Sequence, residues 1–309
     1  MDDRFAAGCA WIEGEYVPIG EARIPITDAG FTRSDVTYDV VAVWHGKFFR
    51  LDAHLDRFER SWTKLRMQPQ QSRDEMRAIL TECVRRSGLR EAYVEMILSR
   101  GVPPQGVRDP RHFRNRFYAF AIPYIWIVKP EDQEIGTHLI IAEETARISS
   151  RSVDPTVKNF HWGDLTRGLF EAYDRGGQTV VLLDTDDNIT EGPGFNIFVV
   201  RQGQIVTPAR GALEGITRRT VMELAEELDL PVEAMLFGSD ALRTADEIFL
   251  TSTAGGVMPV TTLEGNPVGD GRPGPITTLL RQRYWDAHDE APWTTPIDYE
   301  IAVGAAGQG

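Results

Sequence analysis

The sequence predicts two domains: a small α+β domain over residues 1–129 and a larger mixed α/β domain over 137–309, joined by a linker at 130–136. Three observations lead there. The first third mixes short strands with two helices, and the remainder alternates strands with helices. Between them lies Lys129-Pro130-Glu131-Asp132-Gln133-Glu134-Ile135-Gly136, a polar run carrying both Pro and Gly. The 309 residues, 42% hydrophobic and 26% charged, are enough for two modest cores.

Residues 10–12 and 15–17 flank Glu13-Gly14 and read as a hairpin. A second hairpin joins 40–44 to 47–50 across His45-Gly46. A helix over 54–65 follows, with Leu55, Phe58, Trp62 and Leu65 at helical spacing and Asp52 as its N-cap. The next helix covers 72–87 and stops at Gly88, and strands at 92–99 and 116–122 complete the first domain. Beyond the linker, strands are expected at 138–142, 179–183, 196–200, 204–206 and 247–251, and helices at 164–175, 217–228, 239–243 and 275–287. A cleft between two such domains is where a small ligand is expected.

Composition removes several function classes. The formal net charge is −13 and the sequence pI is about 5.0, so a nucleic-acid partner is a poor expectation. Cys9 and Cys83 stand alone, with no C-x-x-C and no local His, which predicts neither a disulfide framework nor a metal site. The N-terminal residues lack a basic region followed by an apolar run, and the apolar stretch 117–128 is interrupted by Pro123. A soluble cytoplasmic protein with no membrane partner is the expectation.

The chemistry centres on Lys158, one of four lysines, in Asp154-Pro155-Thr156-Val157-Lys158-Asn159-Phe160. A lysine that bonds an aldehyde must spend part of its cycle as a neutral amine, and Phe160 and Trp162 offer an apolar setting for that. Taken alone, the segment suits a surface lysine better. Downstream come Thr190-Glu191-Gly192-Pro193-Gly194-Phe195-Asn196, then Gly215-Ile216-Thr217-Arg218 opening a helix, then Thr251-Ser252-Thr253-Ala254-Gly255-Gly256. A carboxylate facing a pyridine nitrogen keeps that ring protonated, and helix N-terminal amides with hydroxyls bind a phosphate. These are the groups needed to hold pyridoxal 5′-phosphate. Each has a plainer reading: Glu191 as a turn residue, Thr217 as an N-cap, Arg57 as a surface arginine among Glu59 and Arg60.

In this order, with Arg57 upstream, the residues resemble the class IV aminotransferases, the fold-type IV pyridoxal-phosphate enzymes with a D-amino acid aminotransferase-like fold. The likeness covers residues 10–300. It implies that Lys158 is the catalytic lysine and forms the Schiff base. It makes Arg57 a phosphate ligand, Glu191 with Asn196 the pyridine-nitrogen side, and Ile216, Thr217 and Thr253 further phosphate ligands. It also implies a homodimer.

Within that family, Ser34-Asp35-Val36-Thr37-Tyr38-Asp39, Val43-Trp44-His45-Gly46, the Val153–Asn159 run with Trp162-Gly163-Asp164-Leu165, and Thr253-Ala254-Gly255-Gly256-Val257-Met258-Pro259 look most like the (R)-selective amine transaminases. That likeness places Tyr38, Tyr93, Glu95, Trp162 and Ala254 at the substrate. It implies transfer of an amino group from a primary amine, (R)-configured, to a keto acid such as pyruvate by a ping-pong route. The alternative is a D-amino acid or branched-chain amino acid aminotransferase of the same fold. Gly163 stands where branched-chain enzymes usually place a Tyr, and Arg33 stands where the (R)-amine enzymes often have a His. Arg33 could give a substrate carboxylate a two-pronged partner or could pair with Asp35 or Asp39. The loop 101–116 carries four arginines, and Arg108 near its tip is expected to meet the keto-acid carboxylate.

Overall fold

The computed structural model describes residues 3–300. They fall into two compact units: the residues up to Tyr124 together with those from His288 on, and Ile125–Ala287.

The first unit runs β1 (Cys9–Ile12), β2 (Glu15–Pro18), α1 (Ala29–Arg33), β3 (Val36–Trp44), β4 (Lys47–Phe49), α2 (Leu51–Lys64), α3 (Arg73–Ser87), β5 (Ala92–Ser99) and β6 (Arg116–Pro123). A late strand, Thr294–Pro296, pairs with β4 and gives an antiparallel sheet ordered Thr294–Pro296, β4, β3, β5, β6, β1, β2. Strand alternation divides its faces. Val41, Val43, Val94, Met96, Leu98 and Phe117 pack with Leu55 and Phe58 of α2 and Met76, Leu80 and Cys83 of α3. Tyr38, Val40, Tyr93 and Glu95 belong to the other face, with Val40 opposite Glu95.

The two helices begin differently. Ser72 and Glu75 form a capping box at the start of α3, and Gly88 closes it in the left-handed conformation (φ 69°). The α2 helix begins three residues earlier than its apolar spacing suggests. Arg50 is its N-cap residue, at φ 57°, and Asp52 is inside the first turn, where Arg73 and Arg77 bind its carboxylate. Asp52 is therefore not the cap.

The second unit runs α4 (Pro130–Ile135), β7 (Thr137–Ala146), α5 (Gly163–Asp174), β8 (Thr179–Leu183), β9 (Asn196–Arg201), β10 (Gln204–Pro208), α6 (Ile216–Glu227), β11 (Val232–Met235), α7 (Ser239–Arg243), β12 (Glu247–Ser252), β13 (Gly256–Leu263), β14 (Asn266–Pro267) and α8 (Pro275–Asp286). Its sheet is mixed, in the order β11, β10, β9, β12, β13, β7, β8, with β14 beside β13. The pairs β10–β11, β13–β7 and β7–β8 are parallel, and the others are antiparallel.

The polar run expected as a linker contains α4. Pro130 sits at the first helical position, Glu131 and Asp132 face the positive helix end, and buried Gln133 donates to Val128 O and Gly255 O. Strand β13 is also absent from the sequence reading, because Gly256 and Pro259 look like breakers. Pro259 is tolerated opposite Phe249, since pairing with β7 begins only at Val260. No helix among the described residues is long and apolar enough to cross a membrane.

Candidate active site

Within the second unit, the sheet and two turns gather most of the expected residues. The Glu191–Gly194 turn follows β8 and returns the chain into β9. Gly192 is required there, because a Cβ would lie 2.3 Å from Val180 O and 2.2 Å from the Phe195 ring. Gly194 has φ 81° and a Cβ position 3.6 Å from the Trp162 ring, which sets the residues opening α5 beside this turn.

Glu191 is 7% exposed. Its Oε1 accepts from Arg147 Nη2 at 3.1 Å and Nε at 3.3 Å, and its Oε2 accepts from the Leu213 amide at 2.9 Å. Burial pushes the carboxyl up from its ordinary value, against the opposing pull of Arg147, the Leu213 amide and Lys158. Arg147 is itself shared: its Nη1 donates to Asp164 Oδ2 at 2.5 Å, and that oxygen also accepts from Ile148 N. One buried guanidinium thus serves two carboxylates. Lys158 is half-buried in the loop before α5, close enough for its charge to act on Glu191.

From Glu191 the contacts run on to the start of α6. Asn196, the first residue of β9, donates from Nδ2 to Leu213 O at 2.8 Å. Gly215 must be glycine, because a Cβ there would sit 2.0 Å from Asn196 Oδ1. The α6 helix then starts on Ile216 with Gly215 at the N-cap position and no side-chain cap. Thr217 is therefore inside the first turn and is not the cap, and its Oγ1 faces the Tyr284 hydroxyl at 3.4 Å. On the next strand, Thr251 is registered with Asn196. Ser252 Oγ donates to Gly194 O at 2.8 Å and accepts from Ala254 N at 3.1 Å, which pins the Thr253-Ala254 turn beside the glycine turn. Lys158, Trp162, Glu191, Asn196, Ile216, Thr217, Thr253 and Ala254 therefore belong to one connected region of one unit.

The remaining expected residues lie in the first unit. Arg57 is 3% exposed and grips Asp39 through two hydrogen bonds, so it is not a surface arginine. Tyr38 is buried on β3, and the Tyr93 hydroxyl donates to Glu95 Oε2 at 3.1 Å. Burial, then the Glu95 charge, pushes the Tyr93 hydroxyl well above the ordinary phenol range. Arg33 is exposed on the last turn of α1. It pairs with neither aspartate considered for it: Asp35 is held by Arg100 at 2.9 and 3.0 Å, and Asp39 by Arg57 and His54. In the loop before β6, Arg111 binds Asp109, Arg114 binds Gln70 and Arg108 is exposed, while Arg116, the first residue of β6, binds Glu13.

Two residues of this region have no counterpart in the sequence reading. Arg147 follows Glu143-Glu144 and looks like surface charge. A register irregularity in β7 between Ile141 and Ala146 carries it instead into the interior beside Glu191. Tyr284 lies on α8, far along the chain, and only tertiary packing brings it to Thr217.

The family model for class IV aminotransferases matches residues 37–263. A putative branched-chain-amino-acid aminotransferase of Methanocaldococcus jannaschii is 29% identical over 279 residues, covering 89% of this chain and 95% of that protein. The branched-chain-amino-acid aminotransferase of Escherichia coli K12 is 28% identical over 301 residues, covering 93% and 97%. Among solved structures, the branched-chain amino acid aminotransferase of Thermobaculum terrenum in its pyridoxal-phosphate form superposes with a TM-score of 0.85 at 25% identity, covering 94% of this chain and 98% of that one. The chain belongs to the class IV aminotransferase family, and its cofactor is pyridoxal 5′-phosphate.

Proposed function

We propose that the chain moves an amino group from an apolar donor to a 2-oxo acid. The observation that carries this reading is Glu191: a buried carboxylate that shares one guanidinium with Asp164 and is linked through Leu213 and Asn196 to an uncapped helix start. These residues fit the cofactor. Glu191 would meet the pyridine nitrogen. The first-turn amides of α6 with Thr217, the Thr253 turn and the Arg57 guanidinium would hold the phosphate, and Lys158 would hold the aldehyde carbon. When bound, the cofactor supplies an electron sink for the donor's α-carbon. Lys158 then carries the proton between donor carbon and cofactor as general acid and base. Arg147 keeps Glu191 in place, and Trp162 would line the substrate side. Both halves of the exchange use one lysine, which gives ping-pong kinetics. A homodimer is part of the proposal.

For the donor, the relatives' names support a branched-chain amino acid, with D-amino acids within the same alternative. A second reading is a primary amine, (R)-configured, with pyruvate as acceptor, and it rests on Glu95. Tyr38, Tyr93 and Glu95 would touch the donor, and a buried carboxylate there disfavours a donor that brings its own carboxylate. Arg33 and Arg108, both exposed, are the candidates to meet a carboxylate on the acceptor.

The test is spectroscopic. Yellow holoenzyme is mixed separately with L-leucine, D-alanine, and (R)- and (S)-1-phenylethylamine, and the loss of its visible band is followed. Bleaching by L-leucine alone supports the branched-chain reading, and bleaching by the (R)-amine alone supports the second. A protein that takes up no pyridoxal 5′-phosphate ends the proposal.

A further inference from the structure

A second buried charge cluster lies under the sheet of the first unit. Asp39 points from β3 toward α2. Its Oδ2 accepts from Arg57 Nε at 2.7 Å, and its Oδ1 accepts from Arg57 Nη2 at 2.8 Å. His54 Nδ1 lies 2.8 Å from the same Oδ1, and the Val40 amide donates to it as well. None of the three side chains is more than about 4% exposed, and Leu55, Phe58, Val41 and Val43 of the apolar core are their neighbours in sequence. Burial alone would raise the Asp39 carboxyl, but the Arg57 charge and the hydrogen bonds from Arg57 and His54 hold it well below the ordinary carboxylate range. With Asp39 ionised, His54 Nδ1 is the donor.

Such a cluster is a poor device for stability, since well-packed apolar residues of similar volume serve a core as well or better. It is a good device for holding a guanidinium still. His54 and Arg57 are three residues apart, so one face of α2 delivers both to the same carboxylate. The Nε–Nη2 edge of Arg57 is fixed by the carboxylate, and its plane is set with it. An arginine held this way keeps its Nη1 side at a defined angle to a second oxyanion. We propose that Asp39 and His54 are positioning residues, which orient Arg57 for a phosphomonoester, the phosphate of the cofactor; this rests on the function proposed above.

The test is a double-mutant cycle read as the dissociation constant of pyridoxal 5′-phosphate from the apo-protein, with the phosphorus NMR resonance of the bound cofactor alongside. Arg57→Ala sets the scale. Asp39→Asn is expected to weaken binding about ten- to hundredfold, as for a lost charge-assisted hydrogen bond, and to shift the phosphorus resonance. His54→Gln gives a smaller change in the same direction. In the Arg57→Ala background, Asp39→Asn should add almost nothing, whereas a general loss of packing would add in full. If Asp39→Asn fails to fold, the His54→Gln arm of the same cycle carries the decision. Additive losses, or variants that bind like wild type, overturn the inference and leave the cofactor reading intact. A wild-type chain that takes up no cofactor overturns both.

Discussion

The two units each bury one charge cluster, and the clusters are opposites. In the first, one carboxylate (Asp39) lies between two bases, Arg57 and His54, and its carboxyl is held below its ordinary range. In the second, one base (Arg147) lies between two carboxylates, Glu191 and Asp164, and Glu191 is pushed up. Burial acts in the same direction on both acids, but Asp39 is held by the Arg57 guanidinium with His54 beside it, whereas Glu191 shares Arg147 with Asp164. Asp39 is saturated and serves to fix a cation. Glu191 shares its guanidinium with a second acid, an arrangement that favours an added pyridinium.

Swapping each acid for its amide exposes the difference. Glu191→Gln keeps one acceptor oxygen, for Arg147 or for the Leu213 amide, puts a donor in place of the other and removes the charge, and turnover should fall by roughly a thousandfold, as when one preorganised electrostatic group is lost. Steady-state kinetics at saturating cofactor measure it; a loss under about tenfold would mean Glu191 does not act on the ring. Next in size, Arg147→Met leaves two buried carboxylates without their common guanidinium, and about 3 kcal/mol of stability should go. Urea unfolding of the apo-protein measures that, and a change below about 1 kcal/mol would mean that water already reaches the pair.

The pH response should separate the clusters further. Glu191 has a raised folded value, so its contribution is full below its unfolded value and is lost as pH rises through the folded one. Asp39 has a lowered folded value, so its contribution is present above its unfolded value and disappears only as pH falls well below about 4. As pH falls toward the ordinary carboxylate range, wild-type apo-protein should therefore gain stability relative to Glu191→Gln, while its difference from Asp39→Asn stays flat. Parallel curves for the two variants in unfolding experiments would remove the contrast. The smallest effect is expected from Tyr284→Phe, which deletes a 3.4 Å contact to Thr217 and should weaken cofactor binding about two- to threefold.

Much of this is legible in the chain. The α3 helix can be read almost to the residue because Ser72, Glu75 and Gly88 are local signals. Lys158 and Glu191 stand out only as members of an ordered set with the segments at 215–218 and 251–256. What cannot be read depends on register and distance. Arg147 needs the irregularity in β7. Tyr284 needs the packing of α8, and Asp39 needs the knowledge that β3 begins at Val36, which places it facing α2. Arg57 is visible as a phosphate candidate, but the carboxylate and imidazole behind it are silent in the sequence, because a buried polar partner leaves no periodic trace.

The strand Thr294–Pro296 adds a different consequence. It completes the first sheet beside β4, and Phe49 stacks on His288 while Arg50 covers the Trp293 ring. The first unit is therefore assembled from two stretches of chain that flank the second in sequence, whereas Ile125–Ala287 emerges as one uninterrupted piece. During synthesis the second unit can close before Thr294–Pro296 is made, and until then the β4 edge stays open.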